Sequence, residues 1–289
     1  MRIVLILAVG CLSAGWIGQH IKPLAKKNSD LAQGASGTYY QLSDAERKEL
    51  VWMAKAANAA YPDGEKPLGY RSFTRMEWDA CSANCSELVY TEDGYFNVGS
   101  GLRGRLMVHM VDEGRVVLAL SGCDFNLSDG PKDFLSCLKH YFCGTPDQYR
   151  QALRLMTGVL GLRPRSHLWI VGHSLGGSLT AYLTIEIPES RTCVKCATFN
   201  GYGLSPFSDV TVEKEKLAAI RLRNVYCDGD PIYNLGDILL KTPFLRRLPP
   251  PRHYGPSYSL VGRGGPIAQH SLDGLLKLMI AHRTRWQGI

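Results

Sequence analysis

A strand-like run, Ser166-His167-Leu168-Trp169-Ile170-Val171, and a helix-like run, Gly177-Ser178-Leu179-Thr180-Ala181-Tyr182-Leu183, are separated only by Gly172-His173-Ser174-Leu175-Gly176. A serine at the centre of so sharp a strand-to-helix turn must adopt strained backbone geometry. Glycines two positions before and two after it remove the side chains that would collide there. Ser174 is therefore the candidate nucleophile. An ordinary glycine-rich turn can share this spacing; the apolar strand in front and the helix behind are the context that favours the reactive reading.

The chain has 289 residues, 45% hydrophobic and 20% charged, enough for one large α/β domain with a full core. After the N-terminus no apolar run reaches the ~18 residues of a membrane span. Nor does any unit of roughly 20 to 50 residues repeat. The first residues differ: Arg2 is basic, Ile3 to Gly10 is unbroken apolar sequence, and Ser13, Ala14 and Gly15 are small. Residues 1–15 read as a secretory signal peptide, with a short helix on the core as the alternative. Ala8-Val9-Gly10-Cys11 is similar to a bacterial lipobox, which leaves a lipid anchor at Cys11 open. The expected location is outside the cell or in its envelope. Residues 16–43 read as a linker or arm, and 44–289 as one domain.

Of nine cysteines, removing Cys11 leaves eight: Cys81, Cys85, Cys123, Cys137, Cys143, Cys193, Cys196 and Cys227. An even number suits disulfides in an oxidising compartment. Neither Cys81-x3-Cys85 nor Cys193-x2-Cys196 has the regular second knuckle of a zinc module, so no metal is expected. The net charge of +7 is gathered in short clusters, among them Lys22, Lys26 and Lys27, and Arg246, Arg247 and Arg252. Such clusters attract an anionic lipid surface or simply form a solvated face. No basic-aromatic interleaving points to nucleic acid.

Ser43, with Glu46 three positions on, forms a capping box that opens a helix toward Ala60. Residues 105–111 and 115–120 read as a hairpin across Asp112-Glu113-Gly114, the second strand apolar enough to be buried on both faces. The expected order continues with a helix from Pro146 to Leu160, the strand ahead of Ser174 and the helix behind it. Then come a strand Cys196 to Asn200, a charged helix Glu213 to Ala219, a strand Ile220 to Tyr226 and a helix Leu272 to His282. Strands alternating with helices imply a mainly parallel central sheet with helices on both faces, and active residues gathered at the strands' carboxyl ends.

That order makes the serine turn the nucleophile elbow of an α/β-hydrolase fold, where the chain order is Ser, then Asp, then His. A serine hydroxyl needs a histidine base and an acid to orient that base. Asp228 and Asp230 follow the strand ending at Tyr226. Asp230 is chosen, since Asp228-Gly229 reads as the turn that delivers it and Pro231 stiffens the exit; either could instead be a plain Asx-turn residue. Among His253, His270 and His282, the chosen base is His270, in a loop ahead of the last helix. The oxyanion needs two backbone donors, assigned to the amides of Leu175 and Cys123, the latter in Ser121-Gly122-Cys123 after a central strand. No cofactor is required.

With these residues in view the chain resembles the class-three, fungal-type lipases. Leu120-Ser121-Gly122-Cys123 is similar to that family's oxyanion strand end, usually Arg-Gly-Thr or Arg-Gly-Ser. Lys132-Asp133-Phe134-Leu135-Ser136-Cys137-Leu138 resembles its lid segment, which makes Phe134, Leu135 and Leu138 lid candidates. Gly172 to Gly177 is its elbow in full, and Asn224 to Pro231 resembles its acid loop. The resemblance covers about residues 100–280. It implies a serine carboxylic-ester hydrolase acting on acyl lipids or other esters; the N-terminal reading adds export, and the basic clusters add peripheral contact with a lipid surface. The competing reading is a non-catalytic envelope protein that keeps the fold.

Overall fold

The computed structural model describes residues 42–83, 89–91, 93–97, 101–122, 147–205, 208, 210–234, 249–262, 265–281 and 287–288. Within these, a sheet of ten strands is assembled from β1 (Tyr70–Ser72), β2 (Val89–Tyr90), β3 (Tyr95–Asn97), β4 (Arg103–His109), β5 (Arg115–Leu120), β6 (His167–His173), β7 (Val194–Phe199), β8 (Leu222–Asp228), β9 (Ser257–Val261) and β10 (Gln287–Gly288). Their order across the sheet is β10-β9-β8-β7-β6-β5-β4-β3-β2, with β1 also on β4. The run from β5 to β9 is parallel; β1 to β4 and β10 pair antiparallel.

The side-chain period of two divides the core between the two faces. Val116, Leu118 and Leu120 of β5 pack on one face, with Leu168 and Ile170 of β6. That face is covered by α2 (Arg75–Ser82), α3 (Asp147–Leu162) and α4 (Leu175–Glu186). Val117 and Ala119 turn to the other, with Val171, Ala197 and Phe199. Over them lie α1 (Asp44–Asn58) and α7 (Leu272–Ala281). Ala54, Ala56, Ala57, Ala59 and Ala60 are fully buried, and their small size lets α1 approach the strands closely. Every residue of α4 from Leu175 to Ile185 is buried, which explains its apolar composition all round.

The expected α/β architecture is present, and the capping box at Ser43 and Glu46 forms as read. The hairpin is β4 with β5, in register at Leu106 with Leu118. Three elements differ from expectation. A helix, α2, stands between β1 and β2, opened by its own capping box at Thr74 and Glu77. β9 extends the parallel sheet; its alternating Ser257-Tyr258-Ser259 has the composition of a loop, yet both serines are buried. His270 lies not in a loop but at the end of α6 (Pro266–His270). α5 (Val212–Ala219) is the charged helix of the sequence pattern.

Candidate active site

Ser174 follows directly on β6 and precedes α4, with φ 57° and ψ −123°. A non-glycine residue holds that conformation only where the surroundings impose it. A Cβ on Gly172 would run into the Gly176 carbonyl, and one on Gly176 into the Leu120 carbonyl, so both positions require glycine. The turn sits at the carboxyl ends of β5, β6 and β7, since β5 and β6 are in register to Leu120 and Gly172.

The structure brings Ser174, Asp230 and His270 together, each buried. His270 Nε2 lies 2.9 Å from Ser174 Oγ. Its Nδ1 lies 2.8 Å from Asp230 Oδ2. A carboxylate only accepts, so Nδ1 carries the ring proton and the bare Nε2 accepts from the Ser174 hydroxyl. The other Asp230 oxygen accepts the backbone N–H of Ile232 at 2.7 Å and of Tyr233 at 2.9 Å. Asp230 is therefore an Asx-turn residue and a partner of His270 at once. Asp228 ends β8, and burial raises its carboxyl above the usual range.

The histidine behind the serine is equally well defined. His173 is buried, and desolvation, helped by the neighbouring His270, lowers its pKa to about 3. Its Nε2 lies 2.7 Å from the His270 carbonyl oxygen and its Nδ1 2.6 Å from the Tyr61 hydroxyl. The Gly122 amide donates to that same hydroxyl at 3.1 Å. Asn200, at the end of β7 with φ 49°, donates from Nδ2 to the carbonyls of Gln269 and His270, 3.0 Å each. Its Oδ1 accepts the Cys227 amide at 2.9 Å.

His253 is placed elsewhere: it packs on Tyr233 with ring centroids 4.4 Å apart, and burial lowers its pKa to about 4. Asn224, the first residue of the segment that resembles the acid loop, lies within β8 and ties Thr198 of β7 to the Tyr254 carbonyl. Leu175 is the first residue of α4, where a backbone N–H has no partner inside the helix. Cys123, Phe134, Leu135, Leu138, His282 and residues 1–41 lie outside the described residues. Cys193, Cys196 and Cys227 carry free thiols, so the expected disulfide framework does not include them. Tyr61 and Asn200 carried no sequence signal, because the groups their side chains meet lie 61 and 112 residues away for Tyr61 and 27 to 70 residues away for Asn200.

Residues 52–238 match the phospholipase-like family whose model is described as a Tle-like phospholipase domain. The chain belongs to this family. As a phospholipase-like protein it is a hydrolase of lipid esters. The match begins well before residue 100, includes Ser174 and Asp230, and stops short of His270. The phospholipase-like chain is similar to the Lip2 lipase of Yarrowia lipolytica at 15% identity and TM-score 0.49, over 78% of this chain and 82% of that one. It is also similar to a triacylglycerol lipase from Penicillium expansum at 13% identity and TM-score 0.46, over 77% of this chain and 82% of that one. No curated protein sequence matches it.

Proposed function

We propose that this lipid ester hydrolase works through a serine acyl-enzyme intermediate, with Ser174 as nucleophile, His270 as base and Asp230 as orienting acid. The observation that carries the reading is the unbroken hydrogen-bond line from Asp230 Oδ2 through both His270 nitrogens to Ser174 Oγ. In acylation His270 Nε2 takes the hydroxyl proton as Oγ bonds to the ester carbonyl carbon, whose oxygen becomes an oxyanion. As the tetrahedral centre collapses, Nε2–H protonates the departing alkoxide oxygen. Water then repeats the sequence on the acyl-enzyme and frees the acid.

The oxyanion would be held by the Leu175 amide and by one amide from the loop after β5. The Gly122 N–H already donates to Tyr61, which leaves the next amide, that of Cys123, for the second position. Gly122 also serves by lacking a side chain, because a Cβ there would lie 2.5 Å from Ser174 Cβ. Export of the enzyme, on the signal-peptide reading of residues 1–15, and contact with a lipid surface through its basic clusters belong to the same proposal.

The test is hydrolysis of p-nitrophenyl esters of graded chain length, then of phospholipid vesicles and triacylglycerol emulsions. Ser174→Ala should lower turnover by at least about a thousandfold while thermal unfolding stays cooperative, since only binding and the oxyanion donors then remain. A folded variant with near-wild-type turnover overturns the mechanism.

A further inference from the structure

The hydrogen bonds behind Ser174 fix one another's direction. A carbonyl oxygen can only accept, so at 2.7 Å from the His270 carbonyl the His173 Nε2 must carry a proton. Burial keeps that imidazole neutral at ordinary pH. Nδ1 is then bare and accepts a hydrogen bond from the Tyr61 hydroxyl at 2.6 Å. With its proton so used, the Tyr61 oxygen offers its lone pairs, and the Gly122 amide donates into one at 3.1 Å. One carbonyl thus sets the sense of the whole line, from Gly122 N–H through Tyr61 and His173 to His270.

This line joins four parts of the molecule that the mechanism needs in register. Gly122 begins the loop on which the second oxyanion donor is proposed, His173 is the last residue of β6, and His270 ends α6. Tyr61 comes from the turn after α1, which is itself held by bonds from Tyr61 N to Asn58 O at 3.1 Å and from Gly64 N to Tyr61 O at 3.0 Å. The His270 carbonyl also accepts from Asn200 Nδ2 at 3.0 Å, so the backbone of that residue is held by two donors from two strands. Its imidazole is thereby aimed by its own main chain as well as by Asp230.

We propose that Tyr61 and His173 are positioning residues, a proton-ordered brace that holds the His270 backbone and the loop at Gly122 in register with Ser174. The proposal rests on the Ser174–His270–Asp230 reading above. Neither side chain needs to touch substrate; each acts through the groups it holds. Displacing a base or an oxyanion donor by a fraction of an ångström lowers the rate of the chemical step and leaves ground-state binding nearly unchanged.

The experiment compares wild type, Tyr61→Phe, His173→Gln, His173→Leu and Ser174→Ala in full-length protein. It measures kcat and KM on a soluble p-nitrophenyl ester, the rate of Ser174 labelling by a fluorophosphonate, and thermal unfolding. Tyr61→Phe should lower kcat and the labelling rate by roughly ten- to a hundredfold with KM nearly unchanged. His173→Gln, whose amide nitrogen can still donate to the His270 carbonyl, should stay at least about tenfold more active than His173→Leu. In 15N NMR of the wild type, His173 should appear as the neutral tautomer protonated at Nε2, and its Nδ1 resonance should move in Tyr61→Phe. Unchanged kcat in folded Tyr61→Phe, equal activity of the two His173 variants, or a proton on Nδ1 would each overturn the brace. Wild-type protein that cleaves no ester and takes no label at Ser174 would overturn the serine mechanism and the brace together. An active wild type with a dead Ser174→Ala and an unaffected Tyr61→Phe overturns the brace alone.

Discussion

Gly122 shows how little freedom one position can have. Its absent side chain makes room for Ser174, and its N–H is held by Tyr61. A methyl group there would meet Ser174 Cβ at 2.5 Å and the His173 carbonyl oxygen at 2.8 Å, both in the rigid elbow. Gly122→Ala should therefore cost about 1–3 kcal/mol, the usual effect of overpacking, and lower turnover at least about tenfold. Urea unfolding together with ester hydrolysis checks both parts. The cysteines make a second prediction at this scale. Cys193 is exposed, whereas Cys196 and Cys227 are buried thiols whose pKa values burial pushes up to about 12. An alkylating reagent followed by peptide mapping should label Cys193 in native protein, and Cys196 and Cys227 only after unfolding. A native disulfide at any of the three would contradict this.

At the scale of elements, α2 is tied to its surroundings through one carboxylate. Glu77 closes the capping box with Thr74 and accepts from Arg71 at 2.7 and 3.1 Å, and Arg163 donates to it as well. Burial alone would raise this carboxyl; the hydrogen bonds from Arg71 and Thr74 and the Arg71 charge outweigh it and bring the pKa down to about 2. A carboxylate depressed in the folded state adds stability above its unfolded value of 4.5, and loses it as the pH falls toward 2. Glu77→Gln should lower stability at pH 7 by on the order of 2 kcal/mol and flatten the loss between pH 5 and about 2. Denaturant unfolding at stepped pH measures this. The same helix was open to sequence reading, because Thr74-x-x-Glu77 is a capping signal as plain as Ser43-x-x-Glu46. β9 was not, since polar serines at its buried positions contradict the pattern of a core strand, and only pairing with β8 accounts for them.

Over the whole molecule, two buried neutral imidazoles make stability depend on pH. His173 and His253 have folded pKa values of about 3 and about 4, both lowered chiefly by burial from 6.5. The unfolded chain gains protons at these positions as the pH drops through 6.5, and the folded chain does not, so stability must fall on that side. Urea midpoints should decline steadily from pH 7 to pH 5, before the Glu77 window opens. A flat or rising series would contradict the neutral state of both rings in the fold.

The elbow, the hairpin and the order of the parallel strands were legible because each is a local pattern: glycine spacing at a turn, an apolar run of strand length, a cap followed by a period of 3.6. Ser174 and Asp230 could be chosen from the glycine spacing, strand ends and chain order, whereas His270 was one of three histidines after Asp230 and was chosen for a loop position that is in fact the end of a helix. Which histidine approaches the serine was a tertiary matter, decided when β9 extended the sheet and α6 turned the His270 ring back over it. The hydrogen bonds of Tyr61, His173 and Asn200 around His270 left no trace in the sequence. They join residues far apart in the chain, and a periodic pattern records which way a side chain faces, not which distant group it meets.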